Sequence, residues 1–206
     1  DKDKKKLIVK WADDPNGPCF CQGFPEEDNL YTDTNGTIEP LNGHMYSIGA
    51  DTYKNIFAEG GSDGAISVIK KSCIIGGEET GLKPVFFYVD RPRLIKQFNE
   101  QIFYTCLFFG SKVNVEIDAG TWFYEDFLEW DALQLLEWTP ALDLTKPKQK
   151  VLPGTQSGNP FELAKQLEVA KLYFDGNSQL VYNGNVHRVT YMPLLEEGLR
   201  YNHGER

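Results

Sequence analysis

The chain has 206 residues, 41% of them hydrophobic and 25% charged, with a formal net charge of -9. That length allows one domain with a sizeable core, and no apolar run approaches the ~20 residues of a membrane-spanning helix. The acidic balance argues against a general nucleic-acid coat, which needs a basic face to displace counterions; an enzyme that meets nucleic acid over a small footprint stays open.

The amino end, Asp1 to Lys6, is charged and leads into no apolar signal core. A start on Asp without Met reads as a fragment of a longer protein. The four cysteines are Cys19, Cys21, Cys73 and Cys106. Cys19 and Cys21 form a Cys-x-Cys that lacks zinc-ribbon spacing, so reduced, mostly buried thiols are expected.

Residues 1–43 read as an irregular lead-in packed on a main domain of residues 44–206. Asp13-Asp14-Pro15-Asn16-Gly17-Pro18 is a turn cluster, and Asn35-Gly36 marks a hairpin. Leu7 to Trp11 fits either a strand or a helix end, and Trp11, Phe20, Phe24 and Tyr31 are the natural anchors. Three strands follow, at Met45–Gly49, Ala65–Lys70 and Pro84–Val89. The turns between them hold Gly60, Gly61 and Gly64, then Gly76, Gly77 and Gly81, so the strands read as an antiparallel meander.

The period then changes. Leu94, Ile95, Phe98, Ile102, Phe103, Cys106 and Phe109 make one helical stripe, closed by Gly110. Val113–Ile117 is a fourth strand, parallel to a neighbour because a helix precedes it. A second helix is expected over Tyr124–Leu136, with Leu135 to Trp138 leading into a short strand or loop. A loop spans residues 143–160, a third helix Phe161–Phe174 with Asn159 as N-cap, a short strand Leu180–Tyr182, and a last helix Met192–Tyr201. The fold class is α/β: an antiparallel three-strand meander plus parallel strands, flanked by helices.

The chemistry gathers at two strand ends. His44 to Asp51 ends on an acid, and so does Lys112 to Asp118. Carboxylates delivered to one sheet edge can hold Mg²⁺ or Mn²⁺, which take hard oxygen ligands. Asp51 also fits a turn before Thr52. Glu116 sits between Val115 and Ile117; the alternation puts Asn114, Glu116 and Asp118 on one face, either solvent or a site. Asp63 reads as a turn acid or a further ligand, and Asp118 as a helix cap or a ligand of an outer metal. Lys146, Lys148 and Lys150 suit phosphate contact or a solvated loop. No phosphate-binding loop of the Gly-x-x-x-x-Gly-Lys type and no Gly-x-Ser-x-Gly occurs.

The element order resembles a ribonuclease H-like fold, and specifically the carboxy-terminal nuclease domain of phage large terminase subunits. Tyr46-Ser47-Ile48-Gly49-Ala50-Asp51 is similar to that family's first motif, a strand ending in Gly-x-Asp. Gly61-Ser62-Asp63-Gly64-Ala65 is similar to its turn into the second strand, and Asn114 to Gly120 resembles the strand carrying its second catalytic acid. Leu194 to Tyr201 looks like the segment before its last catalytic helix. The family's third acid has no counterpart at the matching place; Glu205, Asp175 or a residue past Arg206 are the alternatives.

The resemblance implies a metal-dependent endonuclease that cuts concatemeric double-stranded DNA with two Mg²⁺ or Mn²⁺ ions. Asp51 would bridge the ions and Glu116 would hold one. It further implies an ATPase motor before residue 1, a small terminase subunit and a portal ring as partners, and the host-cell cytoplasm as location. A resolvase- or transposase-type nuclease, or a non-catalytic docking module of the same fold, are the alternatives.

Overall fold

The computed structural model describes residues 9–25, 30–32, 37–53, 63–71, 74–75, 78–79, 83–117, 122–138 and 153–155, with residues 164, 168, 171, 191 and 192 singly. Among the described residues nine strands are defined: β1 (Cys19–Cys21), β2 (Leu30–Thr32), β3 (Ile38–Pro40), β4 (Tyr46–Asp51), β5 (Gly64–Lys70), β6 (Ile74–Ile75), β7 (Glu78–Glu79), β8 (Lys83–Asp90) and β9 (Val113–Val115). The helices α1 (Ile95–Phe109) and α2 (Trp122–Glu129) accompany them.

Five strands make one mixed sheet in the order β1-β8-β5-β4-β9. β4, β5 and β8 pair antiparallel, as their glycine-rich turns predict. β9 follows α1 and lies parallel to β4, with Gly49 opposite Asn114 and Ala50 opposite Val115. The hairpin expected around Asn35-Gly36 appears as β2 against β3. Two features go beyond the sequence reading. Within the lead-in, Cys19–Cys21 forms an edge strand against β8, and β6 pairs with β7 between β5 and β8.

The sheet has one dry face. Tyr46, Ile48 and Ala50 of β4, Ile66 and Val68 of β5, Phe86 and Tyr88 of β8, and Val113 and Val115 of β9 all point into the core. α1 covers them with Phe98, Ile102, Cys106 and Phe109, each fully buried. The rings interlock edge to face: Tyr46 with Phe109 at 5.2 Å and Phe86 with Phe109 at 5.7 Å. Such pairs add roughly 0.5–1.5 kcal/mol each beyond the area they bury. Gln97 accepts the Leu94 N–H at the helix start, and Gly110 ends it in the left-handed region at φ 60, as its position after Phe109 predicts.

The second helix is shorter than its apolar spacing suggests. It starts at Trp122 and ends at Glu129, not at Leu136. Asp131 takes φ 54 and breaks the path. A single 3-10 turn, Leu133–Leu135, then buries Leu135 and Leu136 against the sheet. Burying those two leucines at the sheet edge outweighs continuing a helix that would point them away.

The position beyond β9 is filled by two separate pieces of chain. Leu136 bridges Val113, and the Glu137 N–H donates to the Val113 carbonyl at 2.8 Å. Further along, Thr155 bridges Glu116. The pieces hold each other through the Gly154 N–H on the Glu137 carbonyl, at 3.0 Å, and a Trp138–Pro153 bridge. Among the described residues no helix is long and apolar enough to cross a membrane. Most of residues 139–206, including the expected loop, third helix, late strand and last helix, lies outside the described residues; Ala164, Glu168, Lys171 and Met192 are helical.

Candidate functional site

The face of the sheet away from α1 carries the acids. Along β4 the burial alternates, so Ser47, Gly49 and Asp51 point outward while Tyr46, Ile48 and Ala50 are buried. β9 alternates likewise, with Asn114 exposed between buried Val113 and Val115. Because Ala50 faces Val115 in register, the next residues, Asp51 and Glu116, are neighbours on adjacent parallel strands, which lie about 4.8 Å apart. Both line one open groove of about 260 Å³, together with Gly49, Ala50, Ala65, Ser67, Asn114 and Thr155.

The backbone beneath these acids is held on both sides. The Glu116 N–H donates to the Ala50 carbonyl at 2.8 Å, and the Glu116 carbonyl accepts the Thr52 hydroxyl at 3.2 Å. On the other flank, the Thr155 N–H donates to the Val115 carbonyl at 2.8 Å and the Ile117 N–H to the Thr155 carbonyl at 2.9 Å. Glu116 therefore sits inside the sheet, not on its rim. A carboxylate on such a strand cannot drift with a loop, and ion coordination demands that rigidity.

Gly154 makes the flank possible. It has φ +92, and a Cβ there would overlap the Val115 carbonyl oxygen and come within 2.7 Å of Ile117 Cγ2. Only glycine lets the Pro153–Thr155 piece approach β9 this closely.

The other candidates divide. Asp63 is exposed just before β5, at the same sheet end as Asp51, yet it does not line the groove. Asp90 ends β8, where it accepts the Arg91 N–H at 2.7 Å and the Tyr88 hydroxyl at 3.5 Å. Asp118, Lys146, Lys148, Lys150, Asp175 and Glu205 lie outside the described residues. Among the described residues no three His, Cys, Asp or Glu side chains converge as a metal cluster; Asp51 and Glu116 are the two acids that line this groove.

Thr155 and Ser67 line the groove without having been singled out in the sequence. Thr155 donates its hydroxyl to Asn114 Oδ1 at 2.9 Å. No local pattern marks Thr155, because it reaches the site only through the long-range pairing beside β9. Asn114 was legible, since the strand alternation puts it on the Glu116 face.

A second cavity, about 330 Å³, lies on the α1 side between the lead-in and the helix, lined by Trp11, Cys19, Phe86, Tyr104, Thr105 and Phe108 among others. Its four aromatic rings share the lining with Lys10, Asp14 and Gln101. The Thr105 hydroxyl already donates to the Gln101 carbonyl at 2.7 Å. Burial pushes the Cys19 thiol pKa up, with Cys21 and then Asp90 adding to the shift. A thiol kept protonated is a poor nucleophile and a poor metal ligand. Cys19, Cys21 and Cys106 are free thiols; Cys106 is buried, whereas Cys19 and Cys21 are only half-buried, less than expected, and Cys73 lies outside the described residues.

No protein-family model and no curated protein matches this chain.

Proposed function

We propose that the Asp51–Glu116 groove is the active site of a metal-dependent DNA endonuclease with ribonuclease H-like organisation. The observation that carries this reading is the placement of two acids, Asp51 and Glu116, at the same end of the parallel pair β4–β9 and in one groove, each on a backbone fixed by neighbouring strands. The arrangement around them supports it: an antiparallel meander, then a helix, then a strand parallel to the first, is the order that the ribonuclease H-like resemblance implies.

The donor set fits a divalent ion. Carboxylate oxygens are hard ligands, and two of them on rigid strands suit Mg²⁺ or Mn²⁺. Asp51 would bridge a pair of ions and Glu116 would hold one. A bound pair supplies an acidified water and a neutralised leaving oxygen. The chain's own part is to fix both acids and to leave the groove open to a phosphodiester. Hydrolysis then adds water across the phosphorus–O3′ bond, giving a 5′-phosphate and a 3′-hydroxyl.

The terminase resemblance refines the proposal. The substrate would be concatemeric double-stranded DNA during genome packaging in the host-cell cytoplasm. The small terminase subunit and the portal ring would be partners, and an ATPase motor would precede residue 1. Lys146, Lys148 and Lys150 would contact DNA phosphates, and Asp118 or Asp63 would supply further metal ligands.

Calorimetric titration with Mn²⁺, run beside a plasmid-nicking assay, tests the reading. The parent chain should bind Mn²⁺ and nick; Asp51→Asn and Glu116→Gln should each abolish nicking while thermal unfolding stays unchanged. Equal cutting by both variants would remove the site assignment. Mn²⁺ binding without nicking by the parent would favour a docking module of the same fold.

A further inference from the structure

One step back from the acids, a second row crosses the outer face of the sheet. Ser67 of β5 lies opposite Gly49 of β4, and Gly49 lies opposite Asn114 of β9. All three line the groove. Continuing the row past Ser67 reaches Phe87 of β8 and then Phe20 of β1. There the character changes: Tyr191 stacks on Phe87 at 4.6 Å with the rings 16° apart, and lies 5.3 Å from Phe20. The aromatic half of the row is thus covered, and the small polar half is open.

The open half is set up to donate hydrogen bonds. An amide carries one acceptor oxygen and two N–H donors. The Thr155 hydroxyl occupies Asn114 Oδ1 at 2.9 Å, which orients the carboxamide and leaves its NH₂ as the group to offer. Ser67 contributes a hydroxyl. Between them Gly49 has no side chain, so the floor is low. A Cβ at Gly49 would meet only Ser67 Oγ, at 3.6 Å, an ordinary contact. Packing therefore does not require glycine here, and the space it leaves opens into the groove.

We propose that Ser67, Gly49 and Asn114 form the subsite for the nucleic-acid phosphate next to the one hydrolysed, with Asn114 donating to a non-bridging oxygen and Thr155 as its positioning residue. This rests on the endonuclease reading for the neighbouring acids. Phosphate contacts position a nucleic acid in register and carry no sequence information. Recognition by neutral donors suits this place, because a Lys or Arg here would pair with Asp51 or Glu116 and compete with the divalent ion. The acids themselves repel a phosphate until a cation neutralises them, so binding to this subsite depends on metal.

The test is fluorescence anisotropy of a short labelled DNA duplex with the full chain, with and without Mn²⁺, alongside nicking kinetics. Asn114→Ala should raise Kd and KM about tenfold, the effect of one hydrogen bond to a charged acceptor, and leave kcat and Mn²⁺ affinity near parental values. Because an amide releases no counterion, the slope of log Kd against log salt should not change, whereas loss of a lysine contact would lower it by about one. Thr155→Val should reproduce part of the loss, and Thr155→Ser should restore it. Gly49→Ala, which the packing accepts, should raise KM while unfolding stays parental.

Parental KM in both Asn114→Ala and Gly49→Ala, in a chain that cuts, overturns the subsite and leaves the endonuclease reading standing. A parent that binds duplex with Mn²⁺ but never cuts, and whose binding Asn114→Ala weakens, keeps the phosphate contact at Asn114 and removes the nuclease. A parent that binds no duplex under any condition overturns both.

Discussion

Replacing Gly154 by alanine should loosen the strand that carries Glu116, and its cost can be worked from the structure. The added Cβ has two ways to fit. It can stay, at φ +92, where a non-glycine backbone costs about 1–3 kcal/mol. That alone does not remove the overlap with the Val115 carbonyl oxygen, which is held by the Thr155 N–H at 2.8 Å. Otherwise the Pro153–Thr155 piece retreats from β9. It then gives up three backbone hydrogen bonds: Gly154 to Glu137, Thr155 to Val115 and Ile117 to Thr155. At about 0.5–1.5 kcal/mol each, retreat costs roughly 1.5–4.5 kcal/mol. The first route carries the overlap on top of its backbone cost, so retreat sets the ceiling and a loss of about 1.5–4.5 kcal/mol follows. Urea unfolding measures the total. Amide exchange at Ile117 separates the routes, since its N–H loses its acceptor only if the strand retreats. A loss below about 0.5 kcal/mol with the Ile117 amide still protected would show that this glycine does not set the approach.

Phe98→Ala should cost about 3–5 kcal/mol in the same urea measurement, because its ring is fully buried against Tyr53 and Tyr88. A value under 2 kcal/mol would mean that the core closes over the gap. Asp131→Gly should be neutral or stabilising by up to about 1 kcal/mol, since it relieves φ 54 at a non-glycine residue; clear destabilisation would show that the side chain makes a needed contact. Stability should fall at alkaline pH. Burial raises the Cys106 thiol above its ordinary 9.0, and burial followed by Asp90 raises the Tyr88 phenol above its ordinary 10.0. The native state thus holds these protons more tightly than the unfolded chain. Their contribution is complete below those ordinary values and is lost as pH rises through them toward the native pKa. The urea midpoint should drop from about pH 9 upward, less steeply in Tyr88→Phe; an unchanged midpoint to pH 11 or so would contradict the shifts.

The meander and the parallel fourth strand were legible because local signals agree there. Glycine-rich turns separate the β-branched and aromatic runs, and the apolar period switches from two to about 3.6 at α1. Asp51 and Glu116 could be matched from sequence because each ends or interrupts an apolar strand, where an acid needs a reason. What stayed hidden depends on distant contacts. Cys19–Cys21 is too short and too turn-flanked to read as a strand, and it becomes one only because β8 offers an unpaired edge. The end of α2 was placed too late because Leu133, Leu135 and Leu136 continue an apolar pattern, though they face the sheet through a 3-10 turn. Thr155 had no signal at all: its place beside Glu116 is fixed by Gly154, forty residues from Asn114.

The two faces of the sheet show why the acids can be tolerated. An exposed carboxylate adds nothing to a core, and a face with Ser47, Gly49, Ala65, Ser67 and Asn114, where Ile69 is the large apolar side chain of β4, β5 and β9, has little apolar area to bury. Such a face gives no hydrophobic drive for a helix to dock over it. Stability must come from the opposite face, and there the chain concentrates its large rings: Tyr46, Phe86 and Tyr88 of the sheet against Phe98 and Phe109 of α1. Where the outer face does carry a large ring, at Phe87, Tyr191 covers it. The opening is therefore a consequence of side-chain choice along three strands. Enlarging Gly49 or Ser67 to leucine would supply the missing apolar surface and invite cover over Asp51 and Glu116.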